Sequence, residues 1–425
     1  MEYCRGQWRA VQKPIFGRFF GLGLAGLLLL PAVLAQAQQP LTLESALELA
    51  GDFRPLNREL GARTDLAGAR VERAGLWPNP SFEFSQERFE AGGSSTTQRF
   101  YTLSQQIDLS GQHRLEVKAA KARAERIRHS NDWQRLNHRS RVRRRFYALL
   151  LEQRRVEALE AALGRMDPVA DIVSVRRRAG DISGYDQSRI ERERADLKAR
   201  LGEAQAERQQ ARQTLQALLG QSRDALAHTL AGTLKPDAPG PLSAYLERIK
   251  RRPDVKSLRA ETSSAKHARQ AAGRAWVPDP TLGVGFTSVA QQGADGGGLL
   301  FSVSMPLPAF DRGQAEAAMA SARQRRTEAR RQRLLDEAQA RVRGLWRKTK
   351  SLQTSTQTFE ASALTKAREL TELAESAYRA GEQGILELLD AYRGQLEARL
   401  RALEMAHKTR EAFIELNHAS GGRRF

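Results

Sequence analysis

Two stretches of strand-like sequence, about 200 residues apart, most constrain how this 425-residue chain can fold. The first follows Trp77-Pro78-Asn79-Pro80 and the second follows Trp276-Val277-Pro278-Asp279-Pro280. In both, apolar residues alternate with polar or small ones on either side of a glycine-rich turn. Because alternation with a period of two is typical of a strand with one apolar face, we predict β-hairpins over residues 81–109 and 281–307.

The sequence outside the hairpins predicts long helices. Charged residues make up 28% of the chain and aromatic residues only 6%, a composition that favours helical rods over compact layered domains. After each hairpin a long helix is expected, over 112–178 and 314–379, followed by a tight turn at 179–184 or 380–384 and a return helix. Pro168 is expected to kink the first long helix or end a segment of it. Before the first hairpin, Thr42 is placed to cap a short helix, and Arg54-Pro55 marks the turn before a second one. The second long helix has a heptad seam, which predicts coiled-coil packing: Ala338, Val342, Leu345, Thr349, Leu352, Thr356, Phe359 and Ala363.

The order of these features repeats along the chain. Matching landmarks lie about 200 residues apart, as Pro78 and Pro278 or Gly180 and Gly381 do. Spacing of this kind indicates an internal duplication. We therefore predict a first repeat over residues 38–232 and a second over 233–425.

Residues 1–37 have the features of a signal peptide. A basic segment precedes a short apolar core, Phe19 to Leu30, and Ala35-Gln36-Ala37 supplies small residues for cleavage. The core is shorter than the ~20 residues that span a bilayer, which disfavours the alternative of an uncleaved anchor. Cleavage would remove Cys4, the only cysteine, and four basic residues with one acidic residue, so that the formal charge falls from +20 to about +17. Export makes nucleic acid an unexpected partner, and the remaining basic residues are interpreted as solvated helix faces.

The predicted strands have the length of transmembrane strands but cannot form a barrel alone. Each contains nine or ten residues, over 81–89, 100–109, 281–289 and 299–307, close to the ~9–11 that a tilted strand needs to cross a membrane. Because open strand edges are not tolerated in lipid, the chain must pool strands with other copies. Two copies would give eight strands, a barrel filled by its own side chains, whereas three would give twelve and leave room for a pore. An exported coiled-coil scaffold without a pore remains the alternative from another class.

These features together resemble a known family. The signal peptide, the duplicated halves and the order of hairpin and long helix are similar to those of TolC-type outer membrane efflux proteins. Trp-Pro-Asn-Pro-Ser at 77–81 and Pro-Leu-Pro-Ala-Phe-Asp-Arg-Gly-Gln at 306–314 resemble the Czc-type (cobalt-zinc-cadmium) cation-efflux branch. The resemblance implies a trimer with a twelve-stranded barrel in the bacterial outer membrane and a helical tunnel that extends into the periplasm.

Function and partners follow from the same resemblance. It implies a passive exit duct for heavy-metal cations, which docks on a periplasmic adaptor (membrane fusion) protein and an inner-membrane pump of the resistance-nodulation-division type. A duct of the same fold for drugs or other organic compounds, or for type I secretion, is the alternative. No cofactor, metal centre or enzyme activity is expected, since the histidines have no metal-ligand spacing and no nucleophile or phosphate motif occurs.

The resemblance also assigns roles at the helical turns. Tyr378 and Asp186 match positions that tie the tunnel entrance shut, while Gln383 stands where drug-efflux members carry an arginine, which leaves the charged part of that tie open. The turn residues match adaptor-docking tips, although a glycine there could simply end a helix in the left-handed conformation: Gly180, Asp181, Gly184, Gly381, Glu382 and Gly384.

Two acidic residues follow the second turn. Glu387 and Asp390 are three residues apart and therefore lie on one face of the predicted helix. In a trimer they would form two stacked acidic rings at the periplasmic entrance, and such rings select cations. The alternative is that both carboxylates are simply solvated.

Overall fold

The computed structural model describes residues 40–220, 229–291 and 293–422, so the predicted signal peptide lies outside the described residues. Within them the chain is mostly helical with four strands, as predicted. The first half contains α1 (Leu43–Gly51), α2 (Arg54–Gly75), β1 (Ser81–Ala91), β2 (Ser94–Gln106), α3 (Gln112–Ala179) and α4 (Gly184–Leu219). The second contains α5 (Leu242–Ile249), α6 (Pro253–Ala272), β3 (Thr281–Gln291), β4 (Ala294–Ser304), α7 (Gln314–Phe359), a π-helix (Glu360–Leu364), α8 (Thr365–Ala380) and α9 (Ile385–Ser420).

The two hairpins form one antiparallel sheet in the order β1-β2-β3-β4. The pairing between β2 and β3 joins them, with Tyr101 opposite Phe286 and Leu103 opposite Val284. Because side chains alternate across a strand, one face of the sheet is apolar and the other carries mainly small and polar residues, with Phe89, Phe100 and Leu300 as exceptions. The apolar face is exposed: Phe82, Phe84, Tyr101, Leu103, Leu282, Val284, Phe286, Leu299, Phe301 and Val303.

The strands differ from the predicted ones at their ends. The second strand begins at Ser94 rather than residue 100, because Gly92 and Gly93 adopt left-handed φ values of 58° and 85° and turn the chain at once. It ends at Gln106 rather than residue 109, since the Asp279 carboxylate accepts hydrogen bonds from the backbone of Leu109 and Ser110 at 3.0 and 3.2 Å. The fourth strand runs over 294–304 rather than 299–307, and Pro306, which has no N–H to donate, lies just beyond it.

Helix boundaries were predicted closely, with proline as the main source of error. The predicted turn at Arg54-Pro55 is the first turn of α2, and α6 begins at Pro253, because a proline in the first turn removes an N–H that has no helical partner anyway. Pro168 was expected to kink or end the first long helix, but α3 continues through it to Ala179. The predicted cap of the first helix is confirmed, since Thr42 Oγ1 accepts a hydrogen bond from the backbone of Ser45.

The buried side chains form three clusters along the helices. Phe146 and Leu150 of α3 pack with α1, α4 and α9, while Tyr245 and Ile249 of α5 pack against α7 and α9. The third cluster, near the helical turns, joins α3, α4, α8 and α9. No helix in the described part of the chain is sufficiently long and apolar to cross a membrane.

A π-helix interrupts the second long helix, which was predicted to be regular from 314 to 379. The predicted seam is buried or half-buried from Ala338 to Phe359, but Ala363 is exposed and Leu364 is half-buried instead. The step of five from Phe359 to Leu364 is that of a π-helix, in which one extra residue is accommodated in a turn. A heptad seam read from the sequence therefore fails at one position, Ala363.

We predict that deleting Ser362 is tolerated, because removal of one residue converts the π-turn into an α-turn and leaves the seam on the same face. Deleting Ser351, which is also exposed, would rotate the following residues by about 100° and turn Thr356 out of the core. Thermal unfolding checks this: the first deletion should keep the wild-type midpoint within about 4 °C, and the second should lower it by more than that. Equal losses in the two variants would contradict the assignment of the extra residue.

Candidate functional site

The two helical turns have the same backbone geometry. Gly180 and Gly381 adopt left-handed φ values of 87° and 77°. In the first turn the N–H of Asp181 donates to the carbonyl of Arg176 at 2.9 Å, and in the second that of Glu382 donates to the carbonyl of Ala377 at 2.9 Å. This is the Schellman arrangement, which satisfies the last carbonyls of a helix and favours glycine. The turn regions, predicted at 179–184 and 380–384, are shorter, because α3 and α8 include residues 179 and 380 and α4 begins at residue 184.

The helices that follow the turns begin differently. At the start of α4 the Ser183 hydroxyl accepts a hydrogen bond from the backbone of Asp186 at 3.2 Å and donates one to its carboxylate at 2.7 Å. At the start of α9, Gly384 has no side chain to cap the helix. A Cβ at Gly384 would stand 3.2 Å from Glu387 Oε2, so the absence of a side chain leaves room for this carboxylate at the helix N-terminus. A negative charge is favoured there by the helix dipole.

The residues of the predicted entrance tie are separate within one chain. Tyr378 is buried, with the Arg176 guanidinium 5.6 Å from the centre of its ring. Asp186 is bound by Ser183, and the backbone N–H of Gln383 donates to the carbonyl of Ala377 at 3.4 Å. Over residues 40–220, 229–291 and 293–422, no hydrogen bond joins Tyr378 to Asp186 or Gln383. The tie between them therefore stays a prediction.

Glu387 and Asp390 lie on the exposed side of the first two turns of α9, as predicted from their spacing. The opposite side carries Ile385, Leu388 and Leu389, which are buried against the cluster near the turns. At ~1.5–3 kcal/mol for each fully buried leucine or isoleucine, these side chains fix the orientation of the helix. Both carboxylates consequently point away from the core.

An ion pair just beyond Asp390 joins α9 to α4, and the sequence alone did not indicate it. Arg393 donates to both carboxylate oxygens of Glu193, at 2.6 and 3.3 Å, and the Glu193 side chain is only 10% exposed. The hydrogen bond to Glu193, the charge of Glu193 and, more weakly, that of Asp390 raise the pKa of the Arg393 guanidinium. Glu193 and Arg393 are 200 residues apart, which is the spacing of the predicted duplication. They therefore occupy equivalent positions in the two repeats, and their opposite charges were the signal in the sequence that could have indicated the pair.

A tyrosine on the same helix contacts α8. Burial and the neighbouring Glu375 carboxylate raise the pKa of Tyr392 to about 12. The phenol is therefore neutral at physiological pH and donates its hydrogen to Glu375. Together with the Arg393–Glu193 pair, this contact holds the beginning of α9 from two sides.

In the described part of the chain no three His, Cys, Asp or Glu side chains are grouped as metal ligands would be.

Comparison with known proteins identifies the family. The outer membrane efflux protein family matches residues 47–221 and 245–422, most of the chain. The chain belongs to this family. It is accordingly an efflux channel of the bacterial outer membrane with an extension into the periplasm, and family membership confirms that it is a transport duct rather than an enzyme.

Individual relatives cover most of the chain or part of it. The cobalt-zinc-cadmium resistance protein CzcC of Cupriavidus metallidurans is 26% identical over 401 residues, which are 93% of this chain and 94% of CzcC. The pyoverdine export outer membrane protein OpmQ of Pseudomonas putida is 28% identical over 185 residues, 41% of this chain and 38% of OpmQ. Among solved structures, CusC superposes with a TM-score of 0.74 at 19% identity, covering 90% of this chain and 92% of CusC.

We predict that Arg393→Gln loosens the start of α9, because the largely buried Glu193 carboxylate loses its charged partner. The guanidinium is 39% exposed, so the expected loss is only about 1 kcal/mol of unfolding free energy. Thermal unfolding measures it, with Arg399→Gln as the control, since Arg399 is an exposed arginine of the same helix. A control that loses as much as the Arg393 variant would show that the ion pair does not stabilise the helix.

Proposed function

We propose that this protein is the outer membrane component of a tripartite resistance-nodulation-division efflux system, through which heavy-metal cations leave the cell. The observation that carries the cargo assignment is the likeness to a cobalt-zinc-cadmium resistance protein over nearly the whole length of both chains. A passive duct is supported by the sequence, which has no Gly-rich phosphate-binding motif through which a nucleotide could power transport. The inner-membrane pump supplies the energy, and a periplasmic adaptor joins the two.

Trimerisation follows from the incomplete sheet. Within the described residues the outer edges of β1 and β4 have no strand partner, and the apolar face across all four strands is exposed. In lipid, unpaired backbone groups cost several kcal/mol each, so the edges must pair with those of other copies. Three copies supply twelve strands, with the apolar face towards the lipid and the small and polar face towards the pore.

The acidic residues of α9 are the proposed selectivity element. Glu387 and Asp390 are exposed, lie on one face and are held in place by the buried side chains behind them. In a trimer they supply six carboxylates at the periplasmic end of the tunnel, which raise the local concentration of cations. Tyr378, Asp186 and Gln383 would close this entrance through contacts between or within chains.

The helical turns are the proposed adaptor contacts. Asp181, Glu382 and the glycines beside them are exposed at the ends of the long helices. Apolar side chains near the turns are exposed as well: Ile172, Val175, Tyr185, Leu370, Leu373 and Leu386. A mixture of small turn residues and exposed apolar side chains suits the tip of a helical partner.

A duct for organic compounds is the second candidate, favoured by the likeness to the pyoverdine exporter OpmQ. This likeness covers less than half of the chain, which makes it the weaker argument. Deletion of the gene separates the two candidates. Loss of zinc, cobalt or cadmium tolerance with unchanged tolerance of drugs and siderophores is expected for a metal duct, and the reverse result would reject metals as the cargo.

We predict that the double variant Glu387→Gln/Asp390→Asn lowers the cation-to-anion permeability ratio of the reconstituted channel by at least about twofold, since it removes the proposed rings without changing side-chain size. Reversal potentials in planar bilayers under a salt gradient measure the ratio. The matched control is Glu369→Gln/Glu372→Gln, which removes two carboxylates at the same spacing from the exposed side of α8. Equal effects of the two variants would argue against a ring at the entrance.

A further inference from the structure

Three basic residues at the membrane end of α3 form an exposed stripe. Arg114, Lys118 and Lys121 lie in the first three turns after β2, and all are exposed. They are three or four residues apart and therefore share one face of the helix. In the described part of the chain, none of the three takes part in a hydrogen bond or ion pair, so their charges are not neutralised by neighbouring side chains.

The stripe faces away from the cavity that the helices enclose. A cavity of about 770 Å³ is lined by α2, α3, α6 and α7, and α3 contributes Gln112, Glu116 and Arg123 to it. Four helices side by side can share one cavity only on their concave side. At 3.6 residues per turn, Arg114, Lys118 and Lys121 are about half a turn from those lining residues and thus lie on the convex side.

Helix α6 extends the basic surface. On α6, the Ser257 hydroxyl donates to the carbonyl of Arg126 at 3.1 Å, and the Ser264 hydroxyl donates to the carbonyl of Ala119 at 2.9 Å. These two bonds to α3 fix the antiparallel register of the helices. In this register the exposed Lys266 is level with Lys118.

Arg259 of α6, also exposed, lies two turns further from the sheet, level with Ala124 and thus about one turn beyond the end of the stripe. We define the basic belt as Arg114, Lys118, Lys121, Arg259 and Lys266. Two carboxylates lie near the belt. Glu125, four residues after Lys121 on α3, is paired with Arg128 at 2.6 Å, and the neighbouring helix α2 carries Glu72, so that the belt keeps a net positive charge.

The belt comes directly after the apolar surfaces of the sheet. Beyond the exposed apolar face lie Trp77, Leu109 and Trp276, which are 57%, 65% and 61% exposed, and the basic belt follows. This order matches the layers of a bilayer. Apolar residues face the acyl chains, amphipathic aromatic residues lie at the interface, and basic residues reach the headgroups.

The dimensions fit the headgroup layer. Lys121 is about 14 Å along α3 from Gln112 at a rise of ~1.5 Å per residue. The headgroup region of one leaflet is roughly 5–8 Å thick, and the attraction of an anionic surface extends about 8 Å further at physiological salt. Side chains of α3 also lean towards its N-terminus, which is the membrane end. All three ammonium and guanidinium groups of the stripe thus come within reach of lipid phosphates.

We propose that the basic belt binds anionic phospholipids of the periplasmic leaflet and thereby fixes the depth of the protein in the membrane. One part of this proposal depends on the proposed function: the convex side of the helices faces outwards only if three chains form a tube. Each basic side chain near an anionic surface is expected to strengthen binding about fivefold.

Native mass spectrometry of the purified full-length protein tests the proposal, with lipids counted on the trimer. Phosphatidylglycerol should bind at least about tenfold more tightly than phosphatidylcholine with the same acyl chains. Arg114→Gln/Lys118→Gln/Lys121→Gln should abolish this preference. The control Arg70→Gln/Arg73→Gln/Arg123→Gln removes the same charge at a similar height from the concave side and should retain it. No preference in the wild type, or equal losses in the two triple variants, would overturn the proposal.

Further variants and measurements separate the causes of a negative result. If the convex triple variant does not assemble, Lys118→Gln/Lys121→Gln replaces it, and Arg114→Lys/Lys118→Arg/Lys121→Arg should bind as the wild type does. Binding to isolated peptidoglycan should also be compared. If the triple variant Arg114→Gln/Lys118→Gln/Lys121→Gln lost this binding but kept the lipid preference of the wild type, the lipid assignment would be rejected. Conductance in neutral planar bilayers tests the proposed duct separately. If the channels conduct but show no lipid preference, only the lipid proposal is rejected. If no conducting trimers form, the proposed duct is rejected.

Discussion

The incomplete pairing of the four-stranded sheet constrains both the environment in which this chain is stable and the way in which its helices are arranged. Its two outer strands offer unpaired backbone groups, and its exposed face is lined by aromatic and aliphatic side chains. In water, the backbone groups at the edges can bond to solvent, but the exposed apolar face is unfavourable. In lipid, the apolar face is favourable, but the unpaired backbone groups at the edges are not. In the proposed trimer, closure with strands from other copies would satisfy both, and the helices that follow each hairpin would then stand side by side around a common axis.

The sequence predicted the fold well because its main signals are local. Alternation with period two, proline-rich boundaries and glycines at left-handed turns each act within a few residues, and the helices and strands lie close to where these signals put them. The errors also have local causes. Pro55 and Pro168 were interpreted as breaks although proline is compatible with a first turn and, in α3, with a continuous helix. Ala363 was placed in the seam because a heptad count cannot detect an extra residue in a π-turn.

The candidate site was predicted less completely, since its contacts join distant parts of the chain. The exposed pair Glu387 and Asp390 follows from helical spacing alone. The pairing of Arg393 with Glu193, by contrast, depends on how α4 and α9 pack, and spacing along one helix carries no information about it. The predicted tie of Tyr378 to Asp186 meets a related limit, because the structure of one chain does not test a contact between copies.

The distribution of charge links the two ends of the molecule. In the proposed cation duct, the carboxylates of α9 would lie where cargo enters, in a region whose core is apolar and firmly packed. At the opposite end, the free basic side chains of α3 and α6 lie on the convex side, whereas the cavity on the concave side mixes Arg70, Arg123 and Arg323 with Glu116 and Glu316. Positive charge on the outer surface attracts lipid phosphates without adding a matching barrier inside, because the lumen-facing charges largely offset one another. A strongly basic chain can therefore conduct cations, provided that its excess charge faces the membrane rather than the pore.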